Sequence, residues 1–227
     1  MTAILSNLQA VHAAIDQAAL LAQRDAATVS LLAVSKKVPA SVVREAYSLG
    51  QQAFGENFVQ EALDKMHALR DLPLEWHFIG PIQSNKTRAI AESFGWVHSA
   101  DRLKIAQRLS DQRPAHLPPL NVCLQINVSG EASKGGVAPE EAEALAHAIA
   151  ILPRLKLRGL KAIPAPAEGM AAQRLPFAKM QKLFNSLNST GLHLDTLSMG
   201  MSHDLTAAIL EGATIVRVGT AIFGSRN

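Results

Sequence analysis

Eight short apolar runs alternate with helix-forming stretches along the whole chain, and this alternation restricts the fold more than any other feature. Residues 29–36, 52–57, 74–80, 95–99, 120–129, 155–163, 196–200 and 214–220 each read as a buried strand of a parallel sheet. Between them lie stretches with helical spacing, such as Val59, Leu63 and Met66. Before the first strand, Ile4, Leu8, Val11, Ile15 and Ala19 predict an amphipathic helix over residues 3–24. Eight β/α units in 227 residues predict a single (β/α)8 TIM barrel with an extra N-terminal helix, residues 1–227 forming one domain. An open doubly wound sheet is the competing α/β architecture, but no glycine-rich dinucleotide fingerprint follows the first strand.

Composition removes several function classes. A formal charge of +3 without a basic stripe does not argue for nucleic acid. No run is long and apolar enough for a membrane span, and the N-terminus lacks the pattern of a signal peptide. The one cysteine, Cys123, cannot form an internal disulfide, fits a reducing cytoplasm, and lies in an apolar run as a buried structural thiol would. The histidines show no metal-binding spacing; His77 and His98 sit in predicted strands and read as packed or hydrogen-bonded side chains.

The polar residues fall at strand exits, where a barrel gathers its chemistry on one face. Lys36, Asn57, Gln83, Asn85, Ser99, Asn127, Ser129, Ser202, Gly219 and Thr220 all occupy such positions. A lysine at the exit of the first strand is a candidate for a Schiff base with an aldehyde, although the residues alone do not choose between Lys36 and Lys37. The exits of strands seven and eight place flexible turns and hydroxyls at helix starts, an arrangement that attracts phosphate. Ser41, Asp101 and Ser202 read as helix N-caps, Pro139 as a helix opening and Gly212 as a helix stop. Arg217, inside an apolar strand, needs an acceptor: a carboxylate such as Glu56, or a ligand nitrogen.

Six motifs in order carry a resemblance: residues 31–36, 54–57, 77–86, 162–166, 197–202 and 216–220. The chain resembles the YggS/PROSC family of pyridoxal 5'-phosphate (PLP) homeostasis proteins over nearly its whole length. The resemblance implies a fold-type III barrel, like the N-terminal barrel of alanine racemase, that carries PLP. It assigns the Schiff base to Lys36, sets Arg217 against the pyridine nitrogen, gives the phosphate to Ser202, Gly219 and Thr220, and lines the cofactor with Asn57 and Met199. Two residues depart from the family pattern: Lys161 stands where methionine is common, and His203 where a small or acidic residue is usual.

The function this implies is storage, buffering or delivery of PLP in the cytoplasm, with PLP-dependent apo-enzymes as recipients and the barrel acting as a monomer. The alternative is an amino-acid racemase or decarboxylase of the same barrel type; a Schiff-base aldolase without cofactor is weaker. An arginine at the ring nitrogen makes the ring a poorer electron sink. The racemases of this type also use a tyrosine acid/base and a second, β-rich domain, whereas this sequence ends just after strand eight and its one tyrosine, Tyr47, falls on the helix after strand one. Lys134, in the loop after strand five, is a candidate second contact for free cofactor, its alternative being a solvated loop lysine.

Overall fold

The computed structural model describes residues 2–131 and 135–225. Within them, β1 (Ser30–Val34), β2 (Ala53–Glu56), β3 (Glu75–Phe78), β4 (Trp96–Ala100), β5 (Leu120–Ile126), β6 (Leu155–Ala162), β7 (Thr196–Ser198) and β8 (Ile215–Val218) follow one another around a closed, all-parallel barrel. The helices are α1 (Ala3–Leu21), α2 (Ala40–Ser48), α3 (Val59–Ala68), α4 (Thr87–Ser93), α5 (Leu103–Gln112), α6 (Ala142–Ala150), α7 (Met170–Ser189), α8 (Leu205–Leu210) and α9 (Thr220–Phe223). The eight expected strands are all present; β4 is shifted one residue toward the C-terminus of its run, and the other seven are shorter than theirs. Among the described residues no helix is long and apolar enough to cross a membrane.

Strand alternation divides the side chains into two layers. Leu31, Ala33, Phe54, Phe78, Val97, Val122, Leu124, Leu160, Leu197 and Val216 face outward and form the apolar core with the helices. The residues between them point to the barrel axis. There the sequence is unusually polar: His77, His98, Ser198 and Arg217 are all buried. At the floor, Arg158 pairs with Asp195 at 2.8 Å and covers the Trp96 ring at 4.6 Å.

The N-terminal helix packs on the side of the barrel, against α8 and α9. It buries Leu8, Val11, Ile15, Ala18 and Ala19. Just beyond it, Arg24 donates to the carbonyls of Ile209 (3.1 Å) and Ala213 (2.9 Å). Those bonds satisfy acceptors at the end of α8, which Gly212 terminates at φ +92°. The Gly212 and Ala213 amides donate back to Ile209 and Ala208, as in a Schellman turn.

Three expected caps are corrected. Helix α2 starts at Ala40, and Pro39 rather than Ser41 occupies the cap position, its backbone already extended at φ −60°. Asp101 accepts from the Arg102 guanidinium at 2.8 Å and does not cap α5, whose cap position is Arg102. Ser202 lies in a turn; the cap position of α8 is Asp204, whose carboxylate accepts from the Met201 amide at 2.6 Å. Pro139 opens a 3-10 turn, Pro139–Glu141, that leads directly into α6.

Gly159 shows how tightly the barrel closes. It pairs with Thr196 across β6 and β7, and a Cβ there would lie 1.7 Å from the Thr196 carbonyl oxygen. Because that obstacle is backbone, Gly159→Ala is expected to destabilise the barrel by about 3 kcal/mol, at the upper end of overpacking costs. Urea unfolding measures this, and an unchanged midpoint would contradict the packing described.

Candidate functional site

The turn after β1 separates the two lysines that the sequence left equivalent. Ser35 faces outward: its hydroxyl donates to Glu56 Oε1 at 2.7 Å. Lys36 follows in the turn after β1 and is half-buried. Lys37 is exposed, adopts the left-handed φ of +58°, and donates its amide proton to Glu61 Oε1. A non-glycine residue in that region is uncommon and needs surrounding structure to hold it.

The holding structure is a buried ionic cluster on α3. Lys65 Nζ donates to the Ser35 carbonyl (2.6 Å), Glu56 Oε1 (2.7 Å) and Glu61 Oε1 (2.6 Å). Glu56 is fully buried, which pushes its carboxyl above the ordinary value against the pull of Lys65 and Ser35. Glu56 therefore pairs with Lys65 and not with Arg217. Lys65 was not anticipated from the sequence; the available signal is its place on the buried stripe Ala62, Lys65, Leu69, four residues after Glu61.

Arg217 satisfies itself inside the barrel. Its guanidinium donates to Ser198 Oγ and to the Ala162 carbonyl, both at 2.8 Å. No carboxylate pairs with it among the described residues, and burial pulls its pKa down to about 10, so it stays charged at neutral pH. A guanidinium only donates, so Ser198 accepts from it and has its own proton free for His98 Nδ1, 2.8 Å away. In that tautomer His98 Nε2 carries the proton of its 2.9 Å bond with His77 Nδ1. His77 Nε2, protonated in turn, meets Glu75 Oε1 at 3.3 Å. These contacts accommodate a donor-to-acceptor order from Arg217 through Ser198 and His98 to His77 with both rings neutral. His77 also stacks on Trp96 with ring centroids 5.2 Å apart. The sequence expectation that these histidines are hydrogen-bonded is met.

Asn57 follows β2, and its Oδ1 is buried with no hydrogen-bond partner. Gly80 packs against this turn, where a Cβ would sit 2.3 Å from the Asn57 backbone carbonyl oxygen. The two last turns lie side by side: Arg217 N–H donates to Gly200 O at 2.9 Å and Met199 N–H to Ile215 O at 3.1 Å. Gly200 has φ +93°, and a Cβ on it would meet Ala208 Cβ at 2.6 Å. Ser202, Leu205, Val218 and Ala221 share a cleft of about 190 Å³ with α1. Ser202 and Thr220 are exposed, Gly219 is half-buried, His203 is exposed, and Met199 is fully buried. Gln83 lines a separate cleft with Asn57 and Phe58. Lys161 is buried in the barrel, whereas Lys134 lies outside the described residues. Cys123 is buried too, its thiol pushed up to about 12 by desolvation. Among the described residues no three His, Cys, Asp or Glu side chains gather as a metal site.

Lys36, Asn57 and the two adjoining glycine turns all follow strands of the closed parallel barrel and so gather at its C-terminal end, above the buried Arg217. The alanine racemase N-terminal domain model matches residues 6–227. The chain is 65% identical over 227 residues to the pyridoxal phosphate homeostasis protein of Pseudomonas aeruginosa, covering 100% of this chain and 97% of that protein. The chain belongs to the alanine racemase N-terminal domain family, among its pyridoxal phosphate homeostasis proteins. The Escherichia coli K12 homeostasis protein is 53% identical over 230 residues, spanning 100% of this chain and 98% of its own. The structure of PipY from Synechococcus elongatus PCC7942 with PLP bound is 37% identical, with a TM-score of 0.84, covering 97% of this chain and 100% of PipY.

Two predictions follow from the charges. Lys65→Met leaves Glu56 buried without its cation and is expected to cost about 3–5 kcal/mol by urea unfolding; Glu56→Gln in the same chain should restore part of it. A cost below about 1 kcal/mol would remove the cluster from the account. For the histidines, burial holds His98 well below 6.5, aided by His77, Arg217 and Lys161, and burial lowers His77 against the pull of Glu75. The unfolded chain binds protons at these imidazoles as pH drops through about 6.5 while the folded chain does not, so stability falls toward acid. Each contributes up to about 1.4 kcal/mol per pH unit below that point. His98→Gln should flatten the fall between about pH 6.5 and pH 5.5 by up to that slope; an equally steep fall would contradict it.

Proposed function

We propose that this protein binds PLP and serves its homeostasis in the cytoplasm, storing or buffering the cofactor and delivering it to PLP-dependent apo-enzymes. The observation that carries the reading is a half-buried Lys36 in the turn after β1, beside the strand that bears a buried Arg217 with no carboxylate partner among the described residues. Family membership supports it: PipY, 37% identical, has PLP bound.

Lys36 is the amine that bonds the cofactor aldehyde, and the Ser35–Glu56–Lys65 cluster holds its turn. Asn57 offers its orphaned oxygen and Met199 lines the turn after β7. Ser202, Gly219 and Thr220 hold the phosphate with hydroxyls and backbone amides. The bound cofactor supplies an electrophilic aldehyde and an electron-withdrawing ring. Arg217, already a donor in all its bonds, faces the ring nitrogen as a donor and disfavours its protonation, which weakens carbanion chemistry. The single tyrosine, Tyr47, sits on α2 in the helical layer, away from the axis. Both features favour a carrier over a racemase or decarboxylase. All the residues named here belong to one chain, and on that ground the barrel is read as acting as a monomer.

Borohydride reduction of the PLP-loaded protein followed by peptide mass mapping is expected to place the label on Lys36, and Lys36→Ala to lose it. A label elsewhere, or none, would overturn the assignment. Exchange of amino-acid α-protons in deuterated water at enzymatic rates would replace the carrier reading with the racemase one.

A further inference from the structure

Lys161 is a buried amine that the function above does not use. It lies near the end of β6, in register with Gln125 of β5 and Ser198 of β7. Its Nζ contacts Gln125 Oε1 at 2.8 Å and the Ile79 carbonyl at 3.3 Å. Ile79 is the first residue past β3, and the Gln125 amide donates onward to Gly135 in the loop after β5. These neighbours put the amine in the top layer of the barrel interior, on the side of the mouth.

We propose that Lys161 is a second carbonyl-reactive amine of this barrel, able to capture a small aldehyde independently of Lys36. The inference rests on the reading above only in that the mouth admits aldehydes.

Its surroundings select the neutral, nucleophilic form. Both acceptors of Nζ are uncharged, and no carboxylate pairs with it among the described residues. The charged and titratable groups that act on it are Arg217 of β8, His98 of β4, Cys123 of β5 and Asp101 after β4. Burial disfavours the ammonium most, Arg217 repels it further, and Cys123 and Asp101 oppose this more weakly, leaving a pKa of about 7. Desolvation beside a second cation is a recognised way to make a lysine nucleophilic at neutral pH. The step is balanced without any oxidant or reductant. The amine nitrogen adds to the carbonyl carbon, and the carbonyl oxygen becomes a hydroxyl. That hydroxyl then leaves as water with the nitrogen's protons, and the carbon–nitrogen double bond remains. A second capture point of this kind would hold an aldehyde inside the mouth when Lys36 is occupied or absent.

Formaldehyde is the probe. The intact wild-type and Lys36→Ala proteins are treated with it and cyanoborohydride at about pH 7, where an amine of pKa about 7 is about half neutral and an ordinary lysine only about one part in 2,500. Peptide mapping then compares methylation rates. Lys161 is expected to react at least about ten-fold faster than the exposed Lys156 and Lys179 in both proteins, burial offsetting part of the larger difference in neutral fraction. Its rate should level off just above neutral pH while theirs keep rising. Lys161→Met, an unbranched replacement without the amine, should lose that modified peptide. A Lys161 rate at or below the surface rate overturns the inference, whatever PLP does at Lys36. Fast methylation of Lys161 together with no PLP on Lys36 leaves it standing and removes the Lys36 assignment instead.

Discussion

Everything at the mouth depends on the ladder that joins the first strand to the last. Ser30, Leu31, Leu32 and Ala33 pair in parallel with Ile215, Val216, Arg217 and Val218. Without this pairing the chain would be an open sheet with two exposed edges. With it, residues almost two hundred positions apart in the chain become neighbours, and the turn bearing Lys36 stands beside the turn bearing Gly219 and Thr220. The register also sets Arg217 across from Leu32, so both side chains enter the interior at the same level.

The interior then has to accommodate charge. A TIM-barrel core is ordinarily filled by branched aliphatic layers, whereas this one carries a guanidinium, two imidazoles and an ammonium-capable amine. Directional hydrogen bonding makes that tolerable. Arg217 can only donate, and its bond to Ser198 propagates through His98 to His77, so the polar groups of this row are arranged donor to acceptor without protonating either ring. The outer layer solves a similar problem differently, with Lys65 drawing Glu56, Glu61 and the Ser35 carbonyl onto a single ammonium. One device orients the far wall of the mouth and the other orients the near one.

The fold was legible because buried parallel strands are uninterrupted apolar runs, and eight of them separated by helices leave few alternatives. The rim positions followed from the same periodicity. Local chemistry was harder to read. Ser41 looked like a cap, yet the preceding Pro39 already fixed the backbone and moved the helix start; Asp101 was taken by its neighbour Arg102; Asp204, two residues beyond Ser202, claimed the cap of α8. Each is a competition between adjacent residues for one backbone position. Lys65 was missed because a lysine on a helix is ordinarily solvated, and only its spacing with Ala62 and Leu69 marks it as buried. The proton order along Arg217, Ser198, His98 and His77 depends on contacts between strands far apart in sequence, which no local pattern contains.

Cys123 acquires a meaning in this setting. Aldehydes combine readily with thiolates, and a sulfur nucleophile inside the same barrel would compete with nitrogen for any carbonyl that entered. Raising the thiol to about 12 leaves almost none of it ionised at neutral pH. The barrel thus keeps its one thiol chemically silent, and carbonyl chemistry in its interior is reserved for amines.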